Sequence, residues 1–219
     1  MKTVIYADKN INFCDQSFNH VFGRLNFDTK GIYDLELVRE AKKIIDTFTE
    51  NDVFIDVGAS IGVFSLLMGE KGYCHSFEPH DELYEILKIN LALNKRNNVY
   101  PSNVAVSDDR HYYTMTTKSF SGTNLSVIEI LKAITSHMTV KLDSFLMFRN
   151  TDNVKLIKID TDGHDLQVLQ GCKNIVEKYH PVILIEHSED DEKIKELIKE
   201  YNYKISKEIT NNWICEYNG

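Results

Sequence analysis

Apolar residues recur along the chain in two alternating periods. From Asp34 the positions Leu35, Leu37, Val38, Ala41, Ile44, Ile45 and Phe48 fall at helical spacing, with acids early and lysines late, as a helix dipole favours. VFIDVG (53–58) is a near-continuous apolar run closing on an acid and a glycine, the profile of a strand buried on both faces of a parallel sheet. IGVFSLLMGE then reads as a helix, YCHSFE (73–78) as a second strand and DELYEILKINLALN as a second helix. NVYPSNVAVS, KLIKID (155–160) and VILIEH (182–187) follow as strands three to five. Strand and helix alternate, so the fold class is α/β, doubly wound around a mostly parallel sheet. A helix with Ile194, Leu197, Ile198 and Tyr201 on one face precedes YKISKEI and WICEY, which read as antiparallel strands at the sheet edge.

Two stretches break this rhythm. Residues 1–33 alternate short apolar and polar pieces, the pattern of short strands or a hairpin lid. Residues 109–142 are irregular, with HYYTMTT, the polar loop KSFSGTNLS, a helix over VIEILKAI and a strand-like TVKL. The second stretch reads as an insertion on the substrate side of a single domain spanning 34–219. Its Tyr112, Tyr113 and Phe120 offer a stacking surface for a sugar, although core packing is the commoner use of such rings.

Composition narrows the function classes. The 219 residues are 42% hydrophobic and 26% charged, so one sizeable core suffices. A net charge of −8 disfavours a nucleic-acid partner, whose binding relies on basic patches. Cys14, Cys74, Cys172 and Cys215 stand far apart and form no C-x-x-C pair, which points to reduced structural thiols. The start MKTVIYADKN lacks a signal-peptide core and no run of about 18 apolar residues occurs, so a cytoplasmic address without a membrane span is expected. The histidines show no metal-binding spacing, and no metal ligand is assigned.

Doubly wound sheets bind ligands beyond the carboxyl ends of their strands, where strand order reverses. The first such end reads Asp56-Val57-Gly58-Ala59-Ser60-Ile61-Gly62. A dinucleotide needs G-x-G-x-x-G and a seat for pyrophosphate; here the glycine order differs and Asp56 repels phosphate. S-adenosylmethionine, carrying an ammonium and a sulfonium but no phosphate, suits such an acid. Glu78 stands 22 residues after Asp56 at the end of the second strand, where an acid accepts hydrogen bonds from both ribose hydroxyls. Asp56 as a helix cap and Glu78 as a plain surface acid are the bland alternatives. Asn103 to Asp108 should lie beside the adenine, with Ala105 or Val106 packing on the ring and Ser107 or Asp108 bonding its edge.

Taken together, FIDVGASIGVFSL (54–66), SFEP (76–79), NVAVSD (103–108), TVKLDSF (139–145), LIKIDTDGHDLQVLQG (156–171) and LIEHS (184–188) make the chain resemble the FkbM family of S-adenosylmethionine-dependent methyltransferases. The resemblance implies a Rossmann-like class I methyltransferase sheet with an antiparallel edge at its C-terminal end. It implies cofactor roles for Asp56, Gly58, Ala59, Gly62 and Glu78. It also favours an acid after the tyrosine of Ile32-Tyr33-Asp34, so Asp34 joins the cofactor candidates, together with Ala105, Ser107 and Asp160. Asp34, Asp162 and Asp165 stand where the family usually carries glutamate, and Ser60 where it carries asparagine; each shorter acid moves its carboxylate by about 1.5 Å, which matters at catalytic tolerances. Members of the family usually methylate hydroxyl groups, often on sugars or secondary metabolites.

The fourth strand should run beside the first, so Asp160-Thr161-Asp162-Gly163-His164-Asp165 should open onto the sulfonium. Transfer to oxygen is an in-line displacement in which some group takes the hydroxyl proton. His164, Asp160 and Asp162 are the candidates, with His164 first because it titrates closest to neutrality. A Mg²⁺ or Mn²⁺ site in the cluster is disfavoured, since adjacent positions of an extended chain point to opposite sides. Glu186-His187, ending the fifth strand, is a further acid/base pair. The leading expectation is an O-methyltransferase acting on a hydroxyl of a sugar, glycan or small metabolite. An N-methyltransferase, a cofactor-binding regulator without transfer, and a dehydrogenase are the competitors. The sequence leaves the oligomeric state open, a homodimer included.

Overall fold

The apolar run at 53–57 forms the middle of a seven-stranded sheet. The computed structural model describes residues 2–6, 9–15, 35–110, 112–116, 134–145, 153–187 and 190–219. Its elements in chain order are β1 (Lys2–Tyr6), β2 (Lys9–Phe13), α1 (Leu35–Ile45), β3 (Asp52–Val57), β4 (Tyr73–Phe77), α2 (Asp81–Leu93), β5 (Val99–Ser102), β6 (Ala105–Val106), β7 (Tyr112–Thr116) and β8 (Ile134–Val140). There follow α3 (Leu142–Phe145), β9 (Asn153–Ile159), α4 (Asp165–Gln170), α5 (Lys173–Tyr179), β10 (Val182–Glu186), α6 (Asp191–Glu200), β11 (Tyr203–Ile209) and β12 (Asn212–Tyr217). The main sheet runs β11-β12-β10-β9-β3-β4-β5. The pairs β10/β9, β9/β3, β3/β4 and β4/β5 are parallel, while β12 is antiparallel to both β10 and β11. The strand order reverses between β3 and β9, as a doubly wound sheet requires.

Alternation along the strands sorts the core into two layers. Phe54, Cys74, Leu156 and Leu184 face Leu37, Val38 and Ala41 of α1 and Ile86, Leu87 and Leu91 of α2. Val53, Ile55, Val57, Ile157, Ile159 and Ile183 face the other way, onto Leu166, Val168, Leu169, Ile175, Ile194 and Ile198 of α4, α5 and α6. Both faces are covered, which is why these strands read as apolar runs.

Three expectations are corrected. IGVFSLLMGE is a series of turns with one 3₁₀ turn, Ser65–Leu67, in place of a helix. Gly62 has φ +92°, outside helical space, and Ile61, Phe64, Leu66, Leu67 and Met68 are all buried, so the segment has no polar face to give a surface helix. The expected third strand splits: Val99–Ser102 is the last strand of the main sheet, while Ala105–Val106 pairs with β8 in a small second sheet. Asn103 marks the break, donating from its side chain to the carbonyls of Glu78 and Pro79. In the insertion, β7 and β8 pair antiparallel, and β8 already begins at Ile134, the last residue of the expected helix. The rest of that helix, the loop KSFSGTNLS and Phe120 lie outside the described residues.

The N-terminal segment forms the expected hairpin, β1 with β2. Asn90 of α2 and Asn94, which caps the C-terminal end of that helix, fasten it to the body. Asn94 donates to the Asn12 carbonyl at 2.7 Å and accepts the Asn12 N–H at 2.8 Å, reading the strand as a neighbouring strand does. Asn90, fully buried, accepts the Cys14 N–H at 2.9 Å and donates to the Ile61 carbonyl at 2.9 Å. One amide thus couples the hairpin to the turn after β3. Replacing Asn90 by Leu strands both backbone groups, so unfolding free energy should fall by roughly 2–4 kcal/mol and Tm by about 5–15 °C. Thermal denaturation reads this directly; an unchanged Tm means the amide holds nothing.

Candidate active site

Register brings the carboxyl ends of β3 and β9 together, with Val57 opposite Ile159. The chain turns sharply after Val57, and the Gly58 and Ala59 N–H groups both donate to the Phe77 carbonyl at 3.0 Å. Gly58 has φ +74°, and a Cβ there would stand 1.7 Å from the Asp160 carbonyl oxygen. Only glycine lets β9 pass so close. Ser60 also adopts a left-handed conformation, φ +52°, which aims its N–H outward from the turn.

That N–H meets Glu78. The Glu78 carboxylate accepts the Ser60 N–H at 2.7 Å and the His80 N–H at 2.8 Å. The residue is 5% exposed, and burial pushes its carboxyl up to about 7 although the two amides favour the charged form. Glu78 is therefore fixed in direction and poised near neutrality beside the glycine turn.

Asp56 takes a different place from the one expected. The sequence sets it against the ligand at the strand end, but its side chain is fully buried beneath the turn. The register sets Asp56 between Ser76 of β4 and Lys158 of β9, all on one face. Ser65 donates to its Oδ2, and the Ser65 and Ser76 hydroxyls meet at 2.7 Å. Its Oδ1 is 3.9 Å from the Lys158 Nζ and has no hydrogen-bond partner. Burial raises its pKa, opposed chiefly by the Lys158 charge. At the other end of the same strand Asp52 behaves in reverse. Burial pushes that carboxyl up too, but the Thr49 N–H, the Lys155 ammonium at 2.9 Å and the Asn153 amide at 2.7 Å hold it down at about 2.

Lys158 was missed by sequence reading. It is nearly buried, bonds Asp160 at 2.9 Å, donates to the Gly58 carbonyl at 3.3 Å and lies 5.0 Å from the Phe64 ring centre. A lysine inside an apolar strand, in register with an acid of the neighbouring strand, is the signal that could have found it.

The loop after β9 distributes its ionisable groups. Asp160 accepts from Lys158 and shares a hydrogen bond with Glu186, the last residue of β10; burial opposes its charge, but Lys158 holds its pKa below the usual range. Asp165 is fully buried and closes the loop, accepting the Thr161 N–H and hydroxyl at 2.9 Å and the Gly163 N–H at 3.3 Å. Asp162 is exposed at the loop tip with φ +52°. His164 is half-buried, and its Nε2 lies 2.9 Å from the Ser107 hydroxyl. Ser107, buried, also donates to Asp108 at 3.0 Å, and Ala105 is buried beside it. Ser107 thus faces the loop after β9. Asp34 lies outside the described residues.

Glu78 and Asp160 therefore flank the glycine turn from neighbouring strands, with Glu186 one strand further on. The Lys158 ammonium beneath the turn is taken up by Asp160 and the Gly58 carbonyl, with Asp56 3.9 Å away, so the arrangement suits a ligand with hydroxyls and positive charge better than one with phosphates. Among the described residues no group of three or more histidine, cysteine or acidic side chains could hold a metal ion, and no helix is long and apolar enough to cross a membrane.

Comparison with known proteins agrees with this geometry. The methyltransferase FkbM domain family matches residues 56–205. The hexuronic acid methyltransferase AglP of Haloferax volcanii is 24% identical over 168 residues, covering 76% of this chain and 69% of that protein. Among solved structures, the methyltransferase FkbM from Methylobacillus flagellatus superposes with a TM-score of 0.56 at 15% identity, over 78% of this chain. That match spans 44% of the Methylobacillus chain, less than half its length. An rRNA methylase from Streptococcus thermophilus gives 0.51 at 8% identity, over 85% of this chain and 98% of that one. At these identities the structures speak to fold.

Removing the buried ammonium tests the electrostatic frame. Lys158→Met leaves Asp56 and Asp160 facing each other without a cation and should cost roughly 3–5 kcal/mol in urea unfolding. Adding Asp160→Asn should recover at least about 1 kcal/mol of that loss, because the two side chains are coupled. Strict additivity of the two changes would contradict the ion pair.

Proposed function

We propose, for a chain that belongs to the FkbM methyltransferase family and is an S-adenosylmethionine-dependent methyltransferase, that the methyl group goes to a hydroxyl of a sugar, glycan or small metabolite. When bound, S-adenosylmethionine supplies an electrophilic methyl group on a sulfonium. Glu78 accepts the two ribose hydroxyls, with Gly58, Ala59 and Gly62 bringing the backbone close. Asp56 acts from below the turn by holding Lys158, and Ala105 and Ser107 border the adenine side. The acids after β9 face the acceptor, and His164, Asp160 and Asp162 are the residues that sequence alone nominates for handling its proton. The name of the Haloferax relative supports a sugar-like acceptor.

The observation that carries this reading is the Glu78 carboxyl, pinned by the Ser60 and His80 amides beside the glycine turn. S-adenosylhomocysteine at about 100 times its dissociation constant should add roughly 2.7 kcal/mol and raise Tm by about 5–10 °C, while NADH should not. A methyl increment on a sugar from an acceptor panel, read by mass spectrometry, identifies the product.

The pH dependence has a defined sign. Without ligand the Glu78 carboxyl stands at about 7, above its ordinary value, so it is largely protonated in mildly acidic solution. Ribose hydroxyls donate to the ionised form, so binding favours loss of that proton. Affinity for S-adenosylhomocysteine should therefore rise with pH up to about 7, by at most about tenfold per pH unit, and level off above. Calorimetric titration across this range checks it. Glu78→Gln should bind weakly and without the slope; a Gln variant with the wild-type profile would remove Glu78 from the ribose.

A further inference from the structure

Of the ionisable groups gathered at the ends of β9 and β10, most are already committed. Both oxygens of Asp165 accept hydrogen bonds from its own loop. Asp160 is paired with Lys158. The Nε2 of His164 meets the Ser107 hydroxyl, and Asp162 stands in solvent at the loop tip. His187 packs at a tilt against Trp213, ring centres 4.1 Å apart, with its Nδ1 3.5 Å from Asp191 and its Nε2 turned to Glu208 at 4.0 Å. Glu186 differs: among the described residues its Oε1 receives a long bond, 3.4 Å, from the Asn211 amide, and its other neighbour in hydrogen-bond reach is the Asp160 carboxylate, an acceptor like itself when ionised.

Its place in the sheet matters as much. Glu186 follows Ile185, which pairs with Ile159, so it flanks Asp160 at the carboxyl edge. Glu78 ends β4 and Glu186 ends β10, three strand spacings or roughly 14 Å apart across the glycine turn. With the ribose at Glu78, the sulfonium lies toward β9 and the acceptor toward β10.

We propose that Glu186 is the base of the transfer, its carboxylate taking the proton of the acceptor hydroxyl while Asp160, fixed by Lys158, flanks it. This rests on the reading of Glu78 given above. In the step, the acceptor oxygen uses a lone pair to bond the methyl carbon. The bond from that carbon to sulfur breaks and its electron pair stays on sulfur, turning the sulfonium into a neutral thioether. The hydroxyl proton passes to Glu186 and then, since the residue is half-buried, to water. Glu186 faces Asp160 just past β9, Asp165 from α4 and Asn211 from the β11–β12 turn. Burial first, and the Asp160 charge second, push its carboxyl up to about 8, so it gains its basic form in mildly alkaline solution.

The test needs no acceptor. Sinefungin carries an amine-bearing carbon in place of the methylated sulfur, so its ammonium occupies the position from which the methyl leaves. A carboxylate there should make the wild-type protein bind sinefungin about tenfold or more tightly than S-adenosylhomocysteine at about pH 8.5, in paired calorimetric titrations. In Glu186→Gln the preference should collapse to near parity with the S-adenosylhomocysteine affinity unchanged, and in His164→Asn it should persist. A preference that survives Glu186→Gln, or disappears in His164→Asn instead, overturns the assignment. Failure of the wild type to bind either compound would overturn the adenosyl site itself, which separates the two failures.

Discussion

A single buried ammonium organises the carboxyl edge of this sheet. Moving a lysine out of water costs several kcal/mol unless charge and hydrogen bonds offset it, and Lys158 finds Asp160, the more distant Asp56 and the Gly58 carbonyl within reach. The contacts to Asp56 and to the Gly58 carbonyl tie the end of β9 to the end of β3, while Asp160 closes the pair from the end of β9 itself. The backbone does the same from the other side: the Asp160 carbonyl occupies the space a side chain at Gly58 would need. Turn and strand end are locked together, and both candidate working groups hang from that joint. Ser60, in the turn, orients Glu78; Asp160, at the strand end, adjoins Glu186.

The cation is outnumbered, and this sets the character of the site. Asp56, Glu78 and Glu186 all have raised proton affinities, with burial as the first cause in each. Asp52, on the same strand as Asp56, shows what a buried acid does when its donors suffice. Glu78 and Glu186 therefore keep protons into the neutral range that a ribose diol or a positively charged ligand would release. Such a site is neutralised from outside, by what it binds, instead of by more lysines in the fold. The overall charge of −8 is compatible with that preference.

Strands β3, β4, β9, β10, β11 and β12 were legible because their apolar runs are buried on both faces or alternate cleanly. So was the adjacency of β3 and β9, which follows from doubly wound topology. The segment after Gly62 was not, since uniform burial erases the periodicity by which a helix is recognised. The split at Asn103 was hidden because the side-chain amide that ends the strand does so through backbone carbonyls of another loop. Asp56 and Glu78 were found as residue types at a spacing; which of them faces a ligand depends on side-chain direction, and that is set by Ser65, Ser76 and Lys158 from three other segments. Glu186 was visible as an acid at a strand end, while its distinction from its neighbours appears only when their hydrogen bonds are assigned.

The shorter acids of the loop after β9 follow from the same local accounting. Asp165 reaches the Thr161 and Gly163 amides of its own loop, the short-range pattern that aspartate side chains favour. Asp162 sits in left-handed space, where aspartate is among the better tolerated residues and glutamate is not. Ser60 likewise serves through its backbone: the left-handed turn points its N–H at Glu78, and its side chain is not needed for that contact. At Asp162 and Ser60 the local conformation is the constraint, and at Asp165 it is the short reach to its own loop. An acid that closes a loop can lose a methylene without moving the groups that surround the reaction, provided those groups are held elsewhere. Here they are held by Lys158.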